Sequence, residues 1–277
     1  MSRSKGSHRT WLAAGVLAAG LAATVAVTSL AAAETPPSAP PAAADGSAAD
    51  SAPRPLAGPP PATGQESVTE TIQVAGTFDG ENRRFVGSGD LGDGGQDEGQ
   101  DPLFRLADGA VLENVILGAP AADGVHCAGS CTLRNVHWED VGEDAATFRG
   151  TNAVVRIEGG SAAKAADKIF QDNRGAGGSV TITDFQVDDD FGKLYRSCGN
   201  CRTQAARTVT LRNITVTGTG DVLVGVNANL GDRAVIEGVT FIGGGRADLC
   251  DLFEGNNTGA EPRKIGSGPD GRTCIAS

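Results

Sequence analysis

The chain has 277 residues, of which 40 are glycine and 4% are aromatic, and its formal net charge is −11. This acidic balance excludes a broad basic footprint for nucleic acid, because phosphates are bound by clustered lysine and arginine side chains. Once the two N-terminal segments described next are set aside, the remaining length is sufficient for one folded domain.

The first 33 residues are typical of a secretory signal peptide. A basic start precedes an apolar, alanine-rich run from Trp11 to Ala33, and three alanines end that run. Small residues at this place are typical of a cleavage site. We therefore expect a secreted, extracellular protein that has no stable membrane partner after cleavage. The length of the apolar run leaves an uncleaved anchor as the alternative.

Residues 34–66 are rich in proline, alanine, serine and glycine. A segment of this composition buries too little apolar surface to offset the entropy lost on ordering, so it is predicted to be a disordered linker. The folded domain is then predicted to span residues 67–277.

Three parts of this domain have local signatures of their own. Residues 66–74 alternate in polarity and predict a first strand. Residues 76–95 are rich in Gly and Asp and predict turns around a short strand at 84–86. Residues 243–277 are predicted to be irregular and to cover the C-terminal end of the fold.

Short apolar segments recur between these parts and determine the fold class. Their first residues are Leu112, Leu133, Ile157, Ile182, Leu211 and Ile236, at intervals of 21 to 29 residues. Each segment alternates apolar and polar residues, which indicates a half-buried strand. Repeats of this length joined by Gly, Asp and Asn turns predict an all-β fold, a parallel β-helix or β-solenoid. The fixed Leu/Asn ladder of a leucine-rich repeat is absent from the sequence.

Acidic residues share one position in this repeat. Asp123 and Asp144 each follow the first leucine of their copy by 11 residues, and Glu143 adds a third carboxylate. Stacked coils place equivalent residues above one another, so these acids are expected on one face. Clustered carboxylates are the ligands that Ca²⁺ prefers. A solvated acidic edge is the alternative.

Basic residues occupy the same position in the next two copies. Lys168 and Lys193 also follow the first residue of their copy by 11 positions, and Arg196 lies beside Lys193. A ladder of exposed ion pairs would add little stability, so the concentration of charge at one offset favours a functional site. Basic side chains beside a bound cation would bind an acidic polymer through its negative charges. We also expect the cation and Lys193 to lower the pKa of Lys168.

The six cysteines all lie in the predicted domain, and an even number in an exported protein favours disulfides. We expect three bonds, joining Cys127 with Cys131, Cys198 with Cys201, and Cys250 with Cys274. The first four cysteines have the alternative of a zinc site, which an oxidising compartment disfavours. A thioredoxin-type redox role is disfavoured as well, because the βαβ context is missing.

Several other polar residues are interpreted as structural. His126 follows the turn after Asp123, and His137 alternates with an apolar neighbour. Asn135 and Asn213 occupy matching repeat positions, which indicates a ladder that caps internal turns. Trp138 is expected to pack in the core.

Four segments of the chain resemble the family-three pectate lyases, which are secreted bacterial enzymes. The segments are residues 122–127, 138–145, 167–171 and 192–201. They occur in the order of the family with compatible spacing, and the resemblance covers about residues 68–229. It implies a right-handed parallel β-helix and Ca²⁺-dependent β-elimination of 1,4-linked polygalacturonate, the backbone of pectin, to 4,5-unsaturated oligogalacturonides.

The resemblance also implies roles for individual residues. Asp123, Glu143 and Asp144 would bind Ca²⁺, Lys168, Lys193 and Arg196 would act on the sugar, and Glu98 would be a further acidic residue beside the cleft. Among these, Lys168 is favoured as the base that removes the C5 proton. Arg196 would bind the sugar carboxylate and Lys193 would assist binding, although Lys168 and Arg196 could exchange roles.

Two other functions are compatible with a charged face on a β-solenoid. One is a non-catalytic polysaccharide-binding protein, and the other is a hydrolase of the polygalacturonase type. Hydrolysis requires two carboxyl groups that flank the bond, whereas lysines beside the acids suit elimination better. The lyase is therefore the leading interpretation, and we expect a monomer.

Overall fold

The computed structural model of the chain describes residues 58–97 and 99–277. The predicted signal peptide, residues 34–57 of the predicted linker, and Glu98 lie outside this part. Within it, no helix has the length and apolar character needed to cross a membrane. The first strand begins at Gln65, two residues before the predicted start of the domain.

The described residues contain sixteen strands and two single-turn 3₁₀ helices. The strands are β1 (Gln65–Val68), β2 (Ile72–Val74), β3 (Thr77–Gly87), β4 (Phe104–Leu106), β5 (Ala110–Leu117), β6 (Val125–Cys127), β7 (Cys131–Trp138), β8 (Asp144–Phe148), β9 (Val154–Asp172), β10 (Ser179–Ser197), β11 (Thr208–Val216), β12 (Thr219–Asn227), β13 (Arg233–Phe241), β14 (Arg246–Glu254), β15 (Arg263–Gly268) and β16 (Cys274–Ala276). The 3₁₀ helices are Gly89–Leu91 and Ala228–Leu230.

The strands stack in parallel ladders, as a β-solenoid requires. One ladder runs β1, β3, β5, β7, β9, β10, β11, β13, β16, and a second runs β2, β4, β6, β8, β9. The six repeat positions from Leu112 to Ile236 pair with one another in successive coils. The predicted all-β parallel β-helix is therefore confirmed. The pairing of β14 with β15 is antiparallel.

Apolar side chains fill the interior of the coils. Leu112, Leu133 and Leu211 are fully buried, as their alternating pattern predicted. Trp138 packs edge-on against Phe170 with ring centroids 5.9 Å apart, so its predicted core role is confirmed. Edge-on contacts are favourable because the positive rim of one ring meets the negative face of the other.

The asparagine ladder lies at one corner of the coils. Asn114 and Asn135 have φ of 54° and 51°, a left-handed conformation that asparagine tolerates better than most residues. Asn135 Nδ2 donates to Asn114 Oδ1 at 2.8 Å. Asn213 has φ of 51° and donates to Asp184 in the same manner. The ladder that the repeat predicted therefore joins successive coils at positions where the backbone takes the left-handed conformation.

Three local predictions were wrong. Residues 66–74 form two strands, β1 and β2, because the chain turns a corner of the coil between them. Residues 77–87 form one long strand. The turn-like sequence is accommodated within it at Glu81 and Asn82, whose φ angles are 53° and 58°. Residues 243–277 are not wholly irregular, since they contain β14, β15 and β16.

The three disulfides join the expected pairs. Cys127 bonds to Cys131 and Cys198 bonds to Cys201, each across a short turn. Cys250 of β14 bonds to Cys274 of β16, which ties together two strands of the C-terminal end. The alternative of a zinc site is wrong, because all four of its cysteines are oxidised in pairs.

Candidate active site

The charged row lies along one face of the solenoid. Asp144 of β8 pairs with Lys168 of β9, and Lys168 pairs with Lys193 of β10. Asp123 lies just before β6, the strand that pairs with β8. All four residues line one cavity of about 450 Å³. The common offset in the sequence therefore corresponds to one row of side chains in space.

Two stacked turns position the acidic residues. Glu143 N–H donates to Ala122 O at 3.0 Å, which places the second turn directly on the first. Gly142 permits this approach, because a Cβ there would lie 2.0 Å from Ala122 O. Gly124 has φ of 48°, and a Cβ there would lie 2.2 Å from the backbone oxygen of Ala145. Both glycines are thus required by the close contact between coils.

Asp123, Glu143 and Asp144 form a buried acidic cluster. Their relative exposures are 6%, 5% and 1%, and one carboxylate oxygen of each lies within 4.8 Å of the others. Asp123 Oδ1 accepts no hydrogen bond, and the contact recorded for Asp144 Oδ1 is an ion pair with Lys168. Burial raises the pKa of Asp144 well above its usual value, and the charges of Glu143 and Asp123 raise it further, while Lys168 opposes them. Buried carboxylate oxygens in such a cluster, one of them without a partner, fit a hard cation with oxygen ligands.

His126 supports this cluster and was not identified as a site residue from the sequence. It is 4% exposed, and its Nε2 lies 2.6 Å from Asp123 Oδ2. The contact occupies Oδ2 and leaves Oδ1 of Asp123 without a hydrogen-bond partner. His137 differs, since its ring meets Ser161 Oγ at 2.9 Å and Asn135 Oδ1 at 2.8 Å within the fold.

The two lysines share a carboxylate that the sequence analysis overlooked. Asp167 lies 2.7 Å from Lys168 Nζ through Oδ2 and 2.9 Å from Lys193 Nζ through Oδ1. Lys168 Nζ also lies 3.4 Å from Glu143 Oε1 and from Asp144 Oδ1. The adjacency of Asp167 to Lys168 was the only sequence signal for this bridge.

The protein groups around Lys168 shift its pKa in the direction opposite to the expected one. Burial lowers the pKa, but the charges of Asp144, Asp167 and Glu143 outweigh burial and raise it above the ordinary value. The nearest neighbours of the ammonium are therefore anions, and the expectation had counted only cations.

Arg196 lies beyond Lys193 in the same cavity and is 6% exposed. Burial lowers the pKa of its guanidinium to about 10, although Asp232 and Tyr195 oppose the shift. Its Nη1 donates to backbone and side-chain oxygens, whereas the buried Nη2 has no partner. An unpaired guanidinium edge is suited to a carboxylate ligand.

Other residues that the sequence analysis did not assign complete the cavity wall. Arg149 and Arg105 lie in the coils near the acidic cluster, and Phe253 comes from β14 at the opposite end. Glu98 lies outside the described residues, but Gly99, Gln100 and Asp101 line the cavity. Phe253 could not be found from the sequence, because its segment was predicted to be irregular.

Comparisons with known proteins agree with this architecture. A family model described as "Pectate lyase" matches residues 57–259. Probable pectate lyase E of Aspergillus flavus is 46% identical over 219 residues, which cover 78% of this chain and 81% of that protein. Pectate lyase E of Emericella nidulans is 44% identical over 215 residues, or 76% and 81% of the two chains.

Solved structures are similar along most of the described part. The catalytic domain of pectate lyase PelI from Erwinia chrysanthemi has a TM-score of 0.62 and 31% identity, covering 75% of this chain and 97% of that one. PelI in complex with tetragalacturonic acid has a TM-score of 0.61 and 32% identity, covering 76% and 68%.

Proposed function

This chain belongs to the pectate lyase family, and from that premise we propose that it is a secreted, Ca²⁺-dependent enzyme that cleaves 1,4-linked polygalacturonate by β-elimination. The proposal rests mainly on the acidic cluster beside Lys168, where Nζ lies 3.4 Å from two of the three clustered acids. A relative of 32% identity forms a complex with tetragalacturonic acid, which supports an acidic polysaccharide as substrate.

Asp123, Glu143 and Asp144 would hold the Ca²⁺ ion. Their buried carboxylates supply three anionic oxygens within 4.8 Å of one another, and His126 fixes the orientation of Asp123. When bound, Ca²⁺ supplies positive charge that stabilises negative charge developing on the sugar carboxylate during the reaction. Glu98 is proposed as a further acidic residue of the cleft.

Lys168 is proposed to remove the C5 proton of the sugar. The electron pair of that C–H bond then forms the C4–C5 double bond, the C4–O bond breaks, and the departing oxygen takes a proton from water. Arg196 would bind the carboxylate of the sugar through its unpaired edge, and Lys193 would assist. Arg196 is the competing base, because burial lowers its pKa to about 10.

The geometry of the acids argues against hydrolysis. A glycoside hydrolase needs two carboxyl groups on opposite sides of the bond, separated by about 5 to 9.5 Å. Glu143 and Asp144 are neighbours in one cluster whose oxygens lie within 4.8 Å of one another. The two carboxylates therefore face a common point from one side, where they suit a cation better than a sugar bond.

The processing and assembly of the chain are part of the proposal. Residues 1–33 would be removed on export, residues 34–66 would serve as a linker, and the domain beginning near residue 67 would act as a monomer. N-terminal sequencing of protein from the culture medium and its mass in solution test these points.

One assay separates the candidate functions. Purified enzyme is mixed with polygalacturonate, and both the ultraviolet absorbance of unsaturated ends and the number of new reducing ends are measured, with Ca²⁺ or with a chelator. Equal yields of both ends that require Ca²⁺ support the proposal. Reducing ends without absorbance would indicate hydrolysis, binding without either product would indicate an adhesion protein, and full activity in chelator would exclude the Ca²⁺ requirement.

A further inference from the structure

The guanidinium of Arg196 is saturated with hydrogen bonds at one end. Its Nη1 donates to Asn227 Oδ1 at 3.2 Å and to Gly225 O at 3.3 Å, and it also contacts Ser197 O. Gly225 allows the side chain to pass, because a Cβ there would lie 2.8 Å from Arg196 Cδ. Three acceptors on one nitrogen fix the direction of the planar group.

An aromatic ring covers one face of the same guanidinium. The Cζ atom of Arg196 lies 4.1 Å from the centroid of the Phe253 ring, within the range of a favourable cation–π contact. Phe253 is half-buried, and it lines the cavity together with Arg196. The ring prevents the guanidinium from rotating out of its plane.

The other terminal nitrogen of Arg196 lies against Gly199, where a Cβ would come within 2.4 Å of Nη2. Nη2 is buried and has no hydrogen-bond partner, although the residue as a whole is only 6% exposed. A buried unpaired donor is costly, so it is expected where a ligand completes the contact. Arg196 and Gly199 both line the cavity, so this unpaired donor lies in the cavity wall.

The orientation of Asn227 is fixed by its own partners. Its Nδ2 donates to Cys198 O at 3.0 Å and to Ser197 Oγ at 3.2 Å, so the amide oxygen must face Arg196. Its backbone N–H donates to Asp232 Oδ2 at 2.8 Å. Asn227 is fully buried, and the amide consequently has a single orientation that satisfies all of its contacts.

We propose that Asn227 and Phe253 are positioning residues for the lyase reaction, which act by holding the guanidinium of Arg196 in one orientation in the cavity wall. Asn227 sets the direction of the guanidinium and Phe253 sets its plane. The inference rests on the proposed role of Arg196 in binding the sugar carboxylate or removing its proton, and it holds for either of these roles.

A double-mutant cycle tests the part of Asn227. Asn227→Ala is made in the wild type and in Arg196→Lys, which retains the charge but lacks the planar fork. We expect Asn227→Ala to lower kcat/KM by roughly tenfold in the wild type, as for one lost hydrogen bond to a charged group, and to have almost no effect in Arg196→Lys.

Asn229→Ala is the matched control. Asn229 exchanges two hydrogen bonds with the Gly255 backbone, each 2.8 Å, at the same end of β12. Thermal unfolding of every variant shows whether it is folded at the assay temperature. We expect Asn229→Ala to change stability without the Arg196-dependent loss of kcat/KM.

Chemical rescue tests the site without depending on Asn227 variants. Arg196→Ala is assayed with added guanidinium chloride at a concentration that does not unfold the protein. We expect saturable recovery of activity in Arg196→Ala, and weaker apparent binding of guanidinium when Phe253→Leu is added. Phe241→Leu is the control, since Phe241 is an exposed ring at the C-terminal end, outside the cavity.

The outcomes distinguish this inference from the proposed function. The positioning role would be overturned if the losses of kcat/KM caused by Asn227→Ala and Arg196→Lys multiplied in the double variant. It would also be overturned if Phe253→Leu left the rescue by guanidinium unchanged. Arg196 would remain important in both cases. Normal activity of Arg196→Ala would overturn the role of Arg196 itself, and the positioning role with it.

Discussion

Asp144 and Lys168 occupy equivalent positions in successive coils, and Nζ of Lys168 lies 3.4 Å from Oδ1 of Asp144. Neighbouring strands are separated by about 4.8 Å, so the proposed cation ligand and the proposed base lie one strand apart. The ammonium of Lys168 partly neutralises the acids. Binding of a cation to the same acids would leave Asp167 as the remaining anion beside Lys168.

The first prediction concerns Asp144. Asp144→Asn should weaken Ca²⁺ binding, because it removes one anionic ligand. In the absence of Ca²⁺ the same substitution should raise the Tm at neutral pH. The pKa of Asp144 in the fold lies above the value in the unfolded chain, so the ionised carboxylate is unfavourable in the fold. Calorimetric titration and thermal unfolding with and without Ca²⁺ measure both effects.

Asp221→Asn is the control for Asp144→Asn, because Asp221 is exposed and lies outside the acidic cluster. Unchanged Ca²⁺ affinity in Asp144→Asn would remove Asp144 from the metal site. A lower Tm without Ca²⁺ would contradict the interpretation that the carboxylates repel one another.

The second prediction concerns acid stability. Burial lowers the pKa of His137 from 6.5 to about 4, and Asp188 opposes the shift only in part. The unfolded chain therefore binds a proton that the fold excludes, so this contribution to stability is complete above the unfolded pKa and declines as the pH falls from about 6.5 to 4. The loss should be up to about 3 kcal/mol.

Urea unfolding of the wild type and of His137→Gln, at fixed Ca²⁺ and several pH values, measures this contribution. The difference in unfolding free energy between the two proteins should decrease through the same pH window and remain level below it. A difference that is independent of pH would show that His137 does not titrate with an altered pKa.

The third prediction concerns the asparagine ladder. Asn135 has φ of 51° and donates to Asn114, while it accepts a hydrogen bond from His137. Asn135→Gly should lose the hydrogen bonds only, whereas Asn135→Ala should be less stable by a further ~1 kcal/mol, because alanine is strained at positive φ. Denaturant unfolding of both variants checks the order, and equal stability would mean that the backbone relaxes.

Local sequence patterns were sufficient for the solenoid and for its charged row. The alternation around Leu112 and Leu133 defines strands, and parallel stacking then converts a common offset into the contact between Asp144 and Lys168. The partners of Arg196 could not be predicted in this way. Asn227 and Phe253 come from later coils, and their contacts with Arg196 depend on how β12 and β14 pair beside β10.

The direction of the pKa shift of Lys168 was missed for a related reason. The sequence places Asp167 beside Lys168, but adjacent residues on a regular strand point to opposite faces. The irregular register of β9 and β10 near Asp167 brings its carboxylate to both lysines. The local charge balance is thus decided by a departure from regular strand geometry.

The last prediction identifies the base. Lys168→Ala should lower kcat by on the order of 10² to 10⁴-fold, the usual contribution of a general base, while oligogalacturonate binding persists through Ca²⁺ and Arg196. Lys168→Arg should also be poor, because guanidinium releases its proton far less readily. Arg196→Lys should mainly raise KM, since it loses the bidentate contact. The wild-type rate should rise towards alkaline pH as the neutral amine becomes more abundant.

Lys164→Ala is the matched control for Lys168→Ala, because Lys164 lies on the same strand and forms only an exposed ion pair with Asp140, at 3.6 Å. Its kcat should remain near that of the wild type. The measurement is kcat and KM across pH for each variant, with binding of an oligogalacturonate followed in parallel. If Lys168→Ala retained near-normal turnover while Arg196→Lys bound substrate without turnover, the base would be Arg196, and the row from Asp144 to Lys168 would serve to hold the ion and the sugar.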